Sequence, residues 1–453
     1  MIGFPTSFLW GAATSAYQIE GSPLADGAGA SIWHRFSREP GRVVGGATGD
    51  SACDHYRRYR EDIALMAWLG INAYRFSVAW ARVVPDGNGT LNPKGLGFYD
   101  RLVDALLAQG IEPMLTLYHW DLPAALEDRG GWLNPDSAKW FGDYAQVLFQ
   151  ALDDRVRLWL TLNEPWVSAV LGYLTGTHAP GRRGLREAAL AAHHLLLAHA
   201  EAVTAYRAVG RHRIGIALNL EPQYAASAQA EDVEAAARRH IYVNRWFLDP
   251  ILLGRYPAEI PQLFGADWPR RALQRAGLIR APIDFLGVNY YSRALVVDDP
   301  SGRPARGRLV KRRDAQLTAM GWEIFPQGLT EMLLWIRREY GELPVYITEN
   351  GAACNDPLPE RGRVLDPGRA RFLGRHLIAA QEALGRGVDL RGYFAWSLLD
   401  NFEWAYGYSK RFGLIHVDFA TQRRTPKMSA RFYRNLICRG GANLAIALGA
   451  LRG

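Results

Sequence analysis

The sequence predicts a single (β/α)8 barrel, also called a TIM barrel, over residues 1–453. Three observations support this prediction. Short apolar segments alternate with amphipathic helical stretches, eight of the apolar segments have the length of strands, and no Pro-, Ser- or Gly-rich linker divides the chain. Regular alternation of strands and helices favours a parallel sheet, and eight repeats favour a closed barrel over an open doubly wound sheet.

The repeats follow one another in a constant order. The eight predicted strands span residues 8–13, 71–78, 111–117, 156–162, 213–218, 283–288, 343–348 and 390–396. Helical patterns lie between them, at residues 94–109, 137–152, 235–247, 327–340 and 368–384. A further helix precedes the second strand, and Ser51 and Asp54 could open it as a capping box.

The chain is longer than a minimal barrel, which needs about 250 residues, so the excess must lie in long βα loops. Candidate loops are residues 21–50, 175–185, 292–322 and 352–365. Catalytic groups of such barrels lie at the C-terminal ends of the strands. Catalytic residues are therefore expected directly after the predicted strands.

Composition excludes several classes of protein. Apolar residues make up 49% of the chain and charged residues 22%, and no stretch approaches the roughly 18 apolar residues of a membrane span. The first residues lack the pattern of a secretion leader, so we expect a soluble, cytoplasmic protein. The net charge of +8 is spread along the chain, which argues against nucleic-acid binding. An oligomer is left open.

Neither a metal site nor a nucleotide cofactor is expected. His193, His194 and His199 do not have the spacing of an HExxH-type site, and the Gly27–Gly29 pair lacks the third glycine of a dinucleotide-binding loop. The three cysteines are far apart and fit neither a disulfide framework nor a CxxC site.

Two glutamates stand directly after predicted strands. Glu164 lies in the segment TLNEP after the fourth strand, and Glu349 lies in ITENG at the end of the seventh. A lone carboxylate at a strand end is more often a structural hydrogen-bond hub. Two of them at the mouth of one barrel favour a catalytic pair.

Several segments, in this order, resemble the glycoside hydrolase family 1 β-glucosidases. Besides the two glutamate motifs they are FLWGAATSAYQIEG, YRFS, HWDLP, NYY and WSLLDNFEW, which together cover the whole chain. The resemblance implies hydrolysis of terminal, non-reducing β-D-glucosyl residues of a small glucoside or oligosaccharide, as in cellulose degradation, without a cofactor. β-Galactosides and β-fucosides are further candidate substrates.

The resemblance also implies roles at the reacting centre. Glu349 would be the nucleophile and Glu164 the acid/base of a retaining double displacement through a covalent glycosyl-enzyme. Arg75 would keep Glu349 ionised, although a structural ion pair inside the barrel is the alternative. Tyr291 would donate to the nucleophile, and Asn163 would bind the sugar 2-hydroxyl. Retention needs carboxyl groups about 5 to 5.5 Å apart, which a sequence does not measure.

A larger set matches the family's sugar-binding residues. His119 alone would more often be a core histidine, but it follows the third strand, which favours a sugar contact. The expected substrate-binding residues are Gln18, His119, Trp120, Asn163, Tyr291, Trp396, Glu403, Trp404 and Phe412.

Glu403 indicates unphosphorylated sugars as substrates, because a carboxylate facing the sugar's 4- and 6-hydroxyls would repel a 6-phosphate. Lys410 argues in the other direction, because this nearby cation could bind a phosphate group. The alternatives are a 6-phospho-β-glycosidase, a transglycosylase, or a non-catalytic sugar-binding protein on the same scaffold. The last is disfavoured because both glutamates are intact.

Overall fold

The computed structural model describes residues 3–442 and Leu444. Its centre is a closed barrel of eight parallel strands, which confirms the predicted fold class. The strands are β1 Leu9–Ala13, β2 Ala73–Ser77, β3 Glu112–Tyr118, β4 Leu158–Asn163, β5 Arg213–Asn219, β6 Phe285–Asn289, β7 Val345–Asn350 and β8 Leu390–Trp396. Each strand pairs with its sequence neighbours, and β1 pairs with β8, where Leu9 lies opposite Gly392, to close the barrel.

All eight predicted strands are present, but several extend further toward their carboxyl ends than predicted. β4 ends at Asn163, β5 at Asn219, β6 at Asn289 and β7 at Asn350. The predictions for β4, β5 and β6 stopped at the last apolar residue and that for β7 at Thr348, whereas the polar residues that follow continue each strand to the barrel mouth.

Long helices surround the barrel: His55–Leu69, Pro93–Leu107, Ser137–Leu152, Leu185–Val209, Ala230–His240, Trp246–Leu253, Pro326–Tyr340, Pro367–Gly385 and Met428–Ile437. The helix Ser137–Leu152, for example, buries an apolar face that contains Trp140, Phe141, Tyr144 and Leu148. Shorter helices lie in the loops: Ala16–Ile19, Ile32–Phe36, Trp80–Val83, Ala124–Glu127, Pro165–Tyr173, Ile260–Phe264 and Arg270–Arg275.

The predicted capping box at Ser51 and Asp54 is wrong. The helix begins at His55, but Asp54 has a left-handed backbone with φ of 50° and makes no side-chain cap bond. A capping residue normally has extended backbone angles, which aim its side chain at the first free N–H groups. The Asp54 carboxylate instead pairs with Arg57 and Arg58 of the first turn.

Two loop predictions also need correction. Residues 292–322 contain two strands, Ala294–Asp298 and Gly307–Val310, which form a small sheet with Gln223–Ala225. Residues 21–50 contain the helix Ile32–Phe36. A separate hairpin, Ile415–Asp418 with Arg423–Pro426, follows β8.

Apolar side chains fill the lower part of the barrel. Met114, Leu160, Phe285, Tyr346 and Phe394 form one buried cluster inside the ring of strands. This layer closes the barrel below its mouth, as in barrels of this class generally. No helix in residues 3–442 is long and apolar enough to cross a membrane.

Candidate active site

A cavity of about 640 Å³ opens at the carboxyl ends of the strands. Glu164 and Glu349 both line it, and its volume is within the range of small-molecule sites. Seven of the other predicted site residues line it too: His119, Trp120, Tyr291, Trp396, Glu403, Trp404 and Phe412. Gln18, Arg75 and Asn163 are fully buried behind this lining.

Both carboxylate oxygens of Glu349 are held by donors. Arg75, from β2, donates from Nη1 to Oε1 at 2.6 Å, and Tyr291, just after β6, donates its hydroxyl to Oε2 at 2.5 Å. Arg75 is itself oriented by a bond from Nε to Thr116 Oγ1 at 3.2 Å. Charge-assisted bonds of this kind fix the carboxylate and favour its ionised form.

Glu164 has a neutral partner instead. Asn289 donates from Nδ2 to Glu164 Oε1 at 2.8 Å, and to Asn163 Oδ1 at 3.0 Å. Thr348 orients this amide, because its hydroxyl donates to Asn289 Oδ1 at 2.6 Å. The backbone of Glu164 has φ of 45°, an uncommon value outside glycine that a surrounding structure must hold in place.

A continuous chain of hydrogen bonds joins the two glutamates. Arg75 donates from Nη2 to Asn163 Oδ1 at 2.6 Å, and Asn289 donates to the same oxygen. The chain therefore runs from Glu349 through Arg75, Asn163 and Asn289 to Glu164. It fixes both carboxyl groups against one rigid set of side chains.

Their surroundings separate the pKa values of the two glutamates. Burial raises the pKa of Glu164 to about 8, with the Glu349 charge adding to the effect. Burial also raises the pKa of Glu349, but there the Arg75 charge and the bonds from Tyr291 and Arg75 offset part of the rise. At neutral pH the arrangement therefore favours a protonated Glu164 beside an ionised Glu349, the pattern of an acid paired with a nucleophile.

His119 lines the cavity as a neutral ring in one tautomer. Asn163 Oδ1 already accepts two bonds, so its Nδ2 must donate to His119 Nε2, which lies 3.0 Å away. The proton of the neutral imidazole is then on Nδ1, which is buried without a hydrogen-bond partner. Burial, assisted by Arg75, lowers the His119 pKa well below its usual value and keeps the ring neutral.

Gln18 and Glu403 meet where the barrel closes. Gln18 Nε2 donates to Phe402 O at 2.9 Å and to Asn401 Oδ1 at 3.1 Å, and lies 3.5 Å from Glu403 Oε2. Burial, with the Glu349 charge, raises the pKa of Glu403 to about 8. The expected repulsion of a 6-phosphate is therefore weakened at pH 7, because Glu403 is then largely protonated. The Lys410 ammonium donates to Ala319 O at 2.7 Å.

Aromatic rings form the other walls. Trp404 packs against Trp120 with ring centroids 4.8 Å apart, and His119 stacks on Trp396 at 5.8 Å. Trp120 also donates from Nε1 to the carbonyl of Asn163 at 3.0 Å. Such faces complement the apolar faces of a sugar ring.

Sequence reasoning missed several residues of the site. Asn289 stands at the end of β6, so the criterion that found Glu164 could have found it. The others lie on loops and helices, where no local pattern marks them: Trp166, His178, Glu221, Arg239 and Trp322.

The three helix histidines make separate contacts. His193 Nδ1 lies 2.9 Å from Tyr256 OH, His194 Nδ1 lies 2.8 Å from Trp132 O, and His199 Nδ1 lies 2.7 Å from Thr161 Oγ1. Within residues 3–442 no three His, Cys, Asp or Glu side chains are grouped as a metal would require.

Comparison with known proteins agrees with this geometry. The sequence model of glycosyl hydrolase family 1 matches residues 1–442. Beta-glucosidase A of Thermotoga maritima is 50% identical over 97% of this chain and 98% of its own length. The 1,4-beta-D-glucan glucohydrolase of Thermotoga neapolitana is 49% identical over 97% of this chain and 99% of its own length.

Solved structures give the same result. The family 1 β-glucosidase from Thermotoga maritima has a TM-score of 0.95 at 50% identity, covering 97% of this chain and 99% of that chain. The β-glucosidase from the same organism in complex with glucoimidazole has a TM-score of 0.94 at 50% identity, with the same coverage. The resemblance predicted from the motifs is confirmed, and the chain belongs to glycosyl hydrolase family 1.

Proposed function

We propose that this enzyme is a retaining β-glucosidase that releases terminal, non-reducing β-D-glucosyl residues. One observation carries the proposal: two carboxyl groups line one cavity in opposite surroundings. Glu349 is bound by a guanidinium and a phenol, whereas Glu164 is bound by a neutral amide. The names of its relatives, a β-glucosidase and a 1,4-β-D-glucan glucohydrolase, support glucosides and short β-glucans as substrates.

The mechanism follows from the two protonation states. Ionised Glu349 attacks the anomeric carbon while Glu164 gives its proton to the departing oxygen, which leaves a covalent glucosyl-enzyme and an ionised Glu164. Glu164 then takes a proton from water, and that water attacks the anomeric carbon and frees Glu349. Tyr291 keeps its bond to the nucleophile and stabilises it as a leaving group.

The glucosyl ring would be recognised by fixed polar atoms. His119 and Glu403 both line the cavity, and protonated Glu403 offers both a donor and an acceptor. Asn163 retains one amide hydrogen for the 2-hydroxyl after its bond to His119. Trp396 and Trp404 supply apolar faces, and Gln18 positions Glu403. β-Galactosides, which differ from glucosides at C4, and β-fucosides, which differ at C4 and lack the 6-hydroxyl, are secondary candidates.

Initial rates on four substrates test this assignment. They are the p-nitrophenyl β-D-glucoside, β-D-galactoside, β-D-fucoside and β-D-glucoside 6-phosphate. We expect the glucoside to be turned over, with NMR showing β-glucose as the first product. An initial α-product would contradict retention, and activity confined to the phosphorylated sugar would contradict the glucoside assignment.

Substitution of each glutamate tests its role. Glu349→Gln should abolish turnover. Glu164→Ala should still be glucosylated by substrates with good leaving groups but release the sugar slowly, and azide should restore the rate as β-glucosyl azide forms. Glu112→Gln is the matched control, because Glu112 begins β3 at the opposite end of the barrel. Wild-type activity in Glu349→Gln would refute the assignment.

A further inference from the structure

A second cavity opens at the end of the barrel opposite Glu164 and Glu349. Its volume is about 800 Å³, and residues at the amino ends of β1, β3, β5 and β8 line it. Four arginines contribute guanidinium groups to its wall: Arg155, Arg157, Arg213 and Arg391. Hydrolysis at the barrel mouth uses none of these residues, so the proposed function gives this cavity no role.

Two of these guanidinium groups are already paired with carboxylates. Arg155 donates to Asp154 at 3.1 Å and to two carboxylates of the helix Pro93–Leu107 at 2.6 and 2.7 Å. Arg391 donates to Asp389 at 2.8 Å. Asp154 and Asp389 line the cavity as well, so the charges of both arginines are balanced within its wall.

The other two guanidinium groups have no acidic partner. Within residues 3–442 neither Arg157 nor Arg213 forms an ion pair, and the side chain of Arg157 makes no hydrogen bond. Arg213 begins β5 and donates from Nη1 to the hydroxyl of Tyr346, in β7, at 3.3 Å. The Tyr346 hydroxyl accepts this bond on a lone pair and keeps its proton for another acceptor. Two cations and a phenol can therefore donate to a ligand in the cavity.

Glu112 begins β3 and supplies an acceptor. Side chains alternate along a strand, so Glu112 points to the same side as Met114, inside the barrel. Its Oε1 is buried and, in the part of the chain that the structure describes, has no hydrogen-bond partner. Burial raises the pKa of Glu112, whereas the charges of Arg157, Arg213 and His212 lower it. The carboxylate thus lies near both unpaired guanidinium groups without a bond to either.

We propose that this cavity binds inorganic hydrogen phosphate. Arg157 and Arg213 donate to its charged oxygens, because the planar guanidinium fork matches the geometry of phosphate. Tyr346 donates its hydroxyl to a further oxygen. The O–H group of the phosphate donates to Glu112 and satisfies the buried oxygen. Three donors and one acceptor of the protein thus match an oxyanion that retains a proton.

The Glu112 carboxylate determines which anion is bound. Sulfate carries no proton at pH 7, so it would leave the buried oxygen of Glu112 unsatisfied and place a like charge beside it. A phosphate monoester loses its last proton at a pKa of about 6 and is then equally unable to donate. Inorganic phosphate keeps a proton at pH 7. The site therefore selects free phosphate over both sulfate and phosphate monoesters.

Isothermal titration calorimetry at pH 7 with phosphate, sulfate and glycerol 3-phosphate tests the proposal. Wild-type protein should bind sulfate and glycerol 3-phosphate about 10- to 100-fold more weakly than phosphate, because both leave Glu112 unsatisfied. Arg213→Met should weaken phosphate binding by about 10- to 100-fold, as expected for lost hydrogen bonds to a charged group. Arg157→Met should weaken it too, and because Arg157 is exposed, this variant avoids a change in the core.

Arg391→Met is the matched control. Arg391 lines the same cavity but is already paired with Asp389, so this variant should keep the wild-type affinity for phosphate. Unchanged phosphate affinity in Arg213→Met and Arg157→Met, or an equal loss in Arg391→Met, overturns the proposal.

Glu112→Gln adds a change of selectivity, which a loss of folding does not produce. The glutamine amide can donate to an oxygen without a proton, so sulfate should bind this variant about as tightly as phosphate. A wild-type protein that binds phosphate no more tightly than sulfate, or binds neither, overturns the proposal. Because binding is measured without a glycoside, these outcomes leave the proposed function unaffected.

Discussion

Arg75 distinguishes the two glutamates of the barrel mouth. It donates to Glu349 at 2.6 Å, whereas Glu164 accepts from the neutral amide of Asn289 at 2.8 Å. Two residues of the same type thereby acquire different protonation states, because Arg75 and Tyr291 hold Glu349 whereas burial beside the Glu349 charge raises the pKa of Glu164. The different roles of the two glutamates therefore depend on their neighbouring groups and not on the residue type.

The pH profile should show this difference. An acid must be protonated to act, and the pKa of Glu164, raised to about 8, keeps it protonated through neutral pH. We expect kcat/KM for cellobiose to fall as the pH rises through about 8. With 2,4-dinitrophenyl β-D-glucoside, whose leaving group needs little protonation, the fall should be much weaker. Identical alkaline limbs for both substrates would contradict the role of Glu164.

Tyr291→Phe should impair the nucleophile. The variant loses a 2.5 Å bond to Glu349, and bonds to charged groups contribute about 1.5–3 kcal/mol, so kcat should fall by about 10- to 100-fold. Because the Tyr291 bond lowers the pKa of Glu349, its loss raises that pKa. The acidic limb of the rate profile should then move to higher pH.

Tyr290→Phe is the control for that experiment. Tyr290 is the neighbouring tyrosine and is fully buried, but its hydroxyl donates to Phe325 O at 2.5 Å, away from the glutamates. It should leave the acidic limb in place. Equal shifts of the acidic limb in both variants would mean that Tyr291 acts only through folding.

At the scale of elements, one buried cation joins segments that are distant in sequence. Lys427, after the final hairpin, donates to Asp356 Oδ2 at 2.5 Å and to Asp400 Oδ1 at 2.6 Å. Arg369, from the helix Pro367–Gly385, also pairs with Asp356. The long loop after β7 and the segment after β8 are thus held together.

Lys427→Met should destabilise this connection. Without Lys427, Asp356 keeps only Arg369 and Asp400 keeps only Arg411 as a cationic partner. Removing one partner from a buried charge cluster typically costs about 3–5 kcal/mol of unfolding free energy. Urea denaturation at pH 7 measures the loss. Lys139→Met, which breaks the exposed pair with Asp143, should change stability little. Equal losses in the two variants would show that the buried cluster contributes no more than a surface pair.

Sequence patterns predicted the existence of each strand more accurately than the residue at which it ends. Each strand is encoded in a few consecutive residues, so all eight could be predicted from local apolar runs. The polar ends of β4 and β6, at Asn163 and Asn289, interrupt the apolar pattern because they belong to the hydrogen-bond network of the two glutamates. Glu221 and Arg239, which line the same cavity, could not be predicted, because their positions depend on contacts between distant segments and not on a local pattern.

For the whole molecule, the barrel could be predicted because its repeat is simple. Strand order in a (β/α)8 barrel follows chain order, so counting the repeats is sufficient to predict the topology. Motifs at the strand ends then located Glu164 and Glu349 on the same rim. The hydrogen bonds that distinguish them arise only when β2, β4, β6 and β7 are assembled in one ring.

Because the site forms only when the ring closes, hydrolysis activity can be used to measure completed folding. Gln18, after β1, donates from Nε2 to Oδ1 of Asn401, after β8, at 3.1 Å. This bond can form only when the two ends of the barrel meet. A folding intermediate that lacks β7 would hold Glu164 without Glu349. During refolding, recovered hydrolysis activity therefore reports only molecules whose first and last strands have paired. The circular-dichroism signal of the helices also includes partly folded molecules.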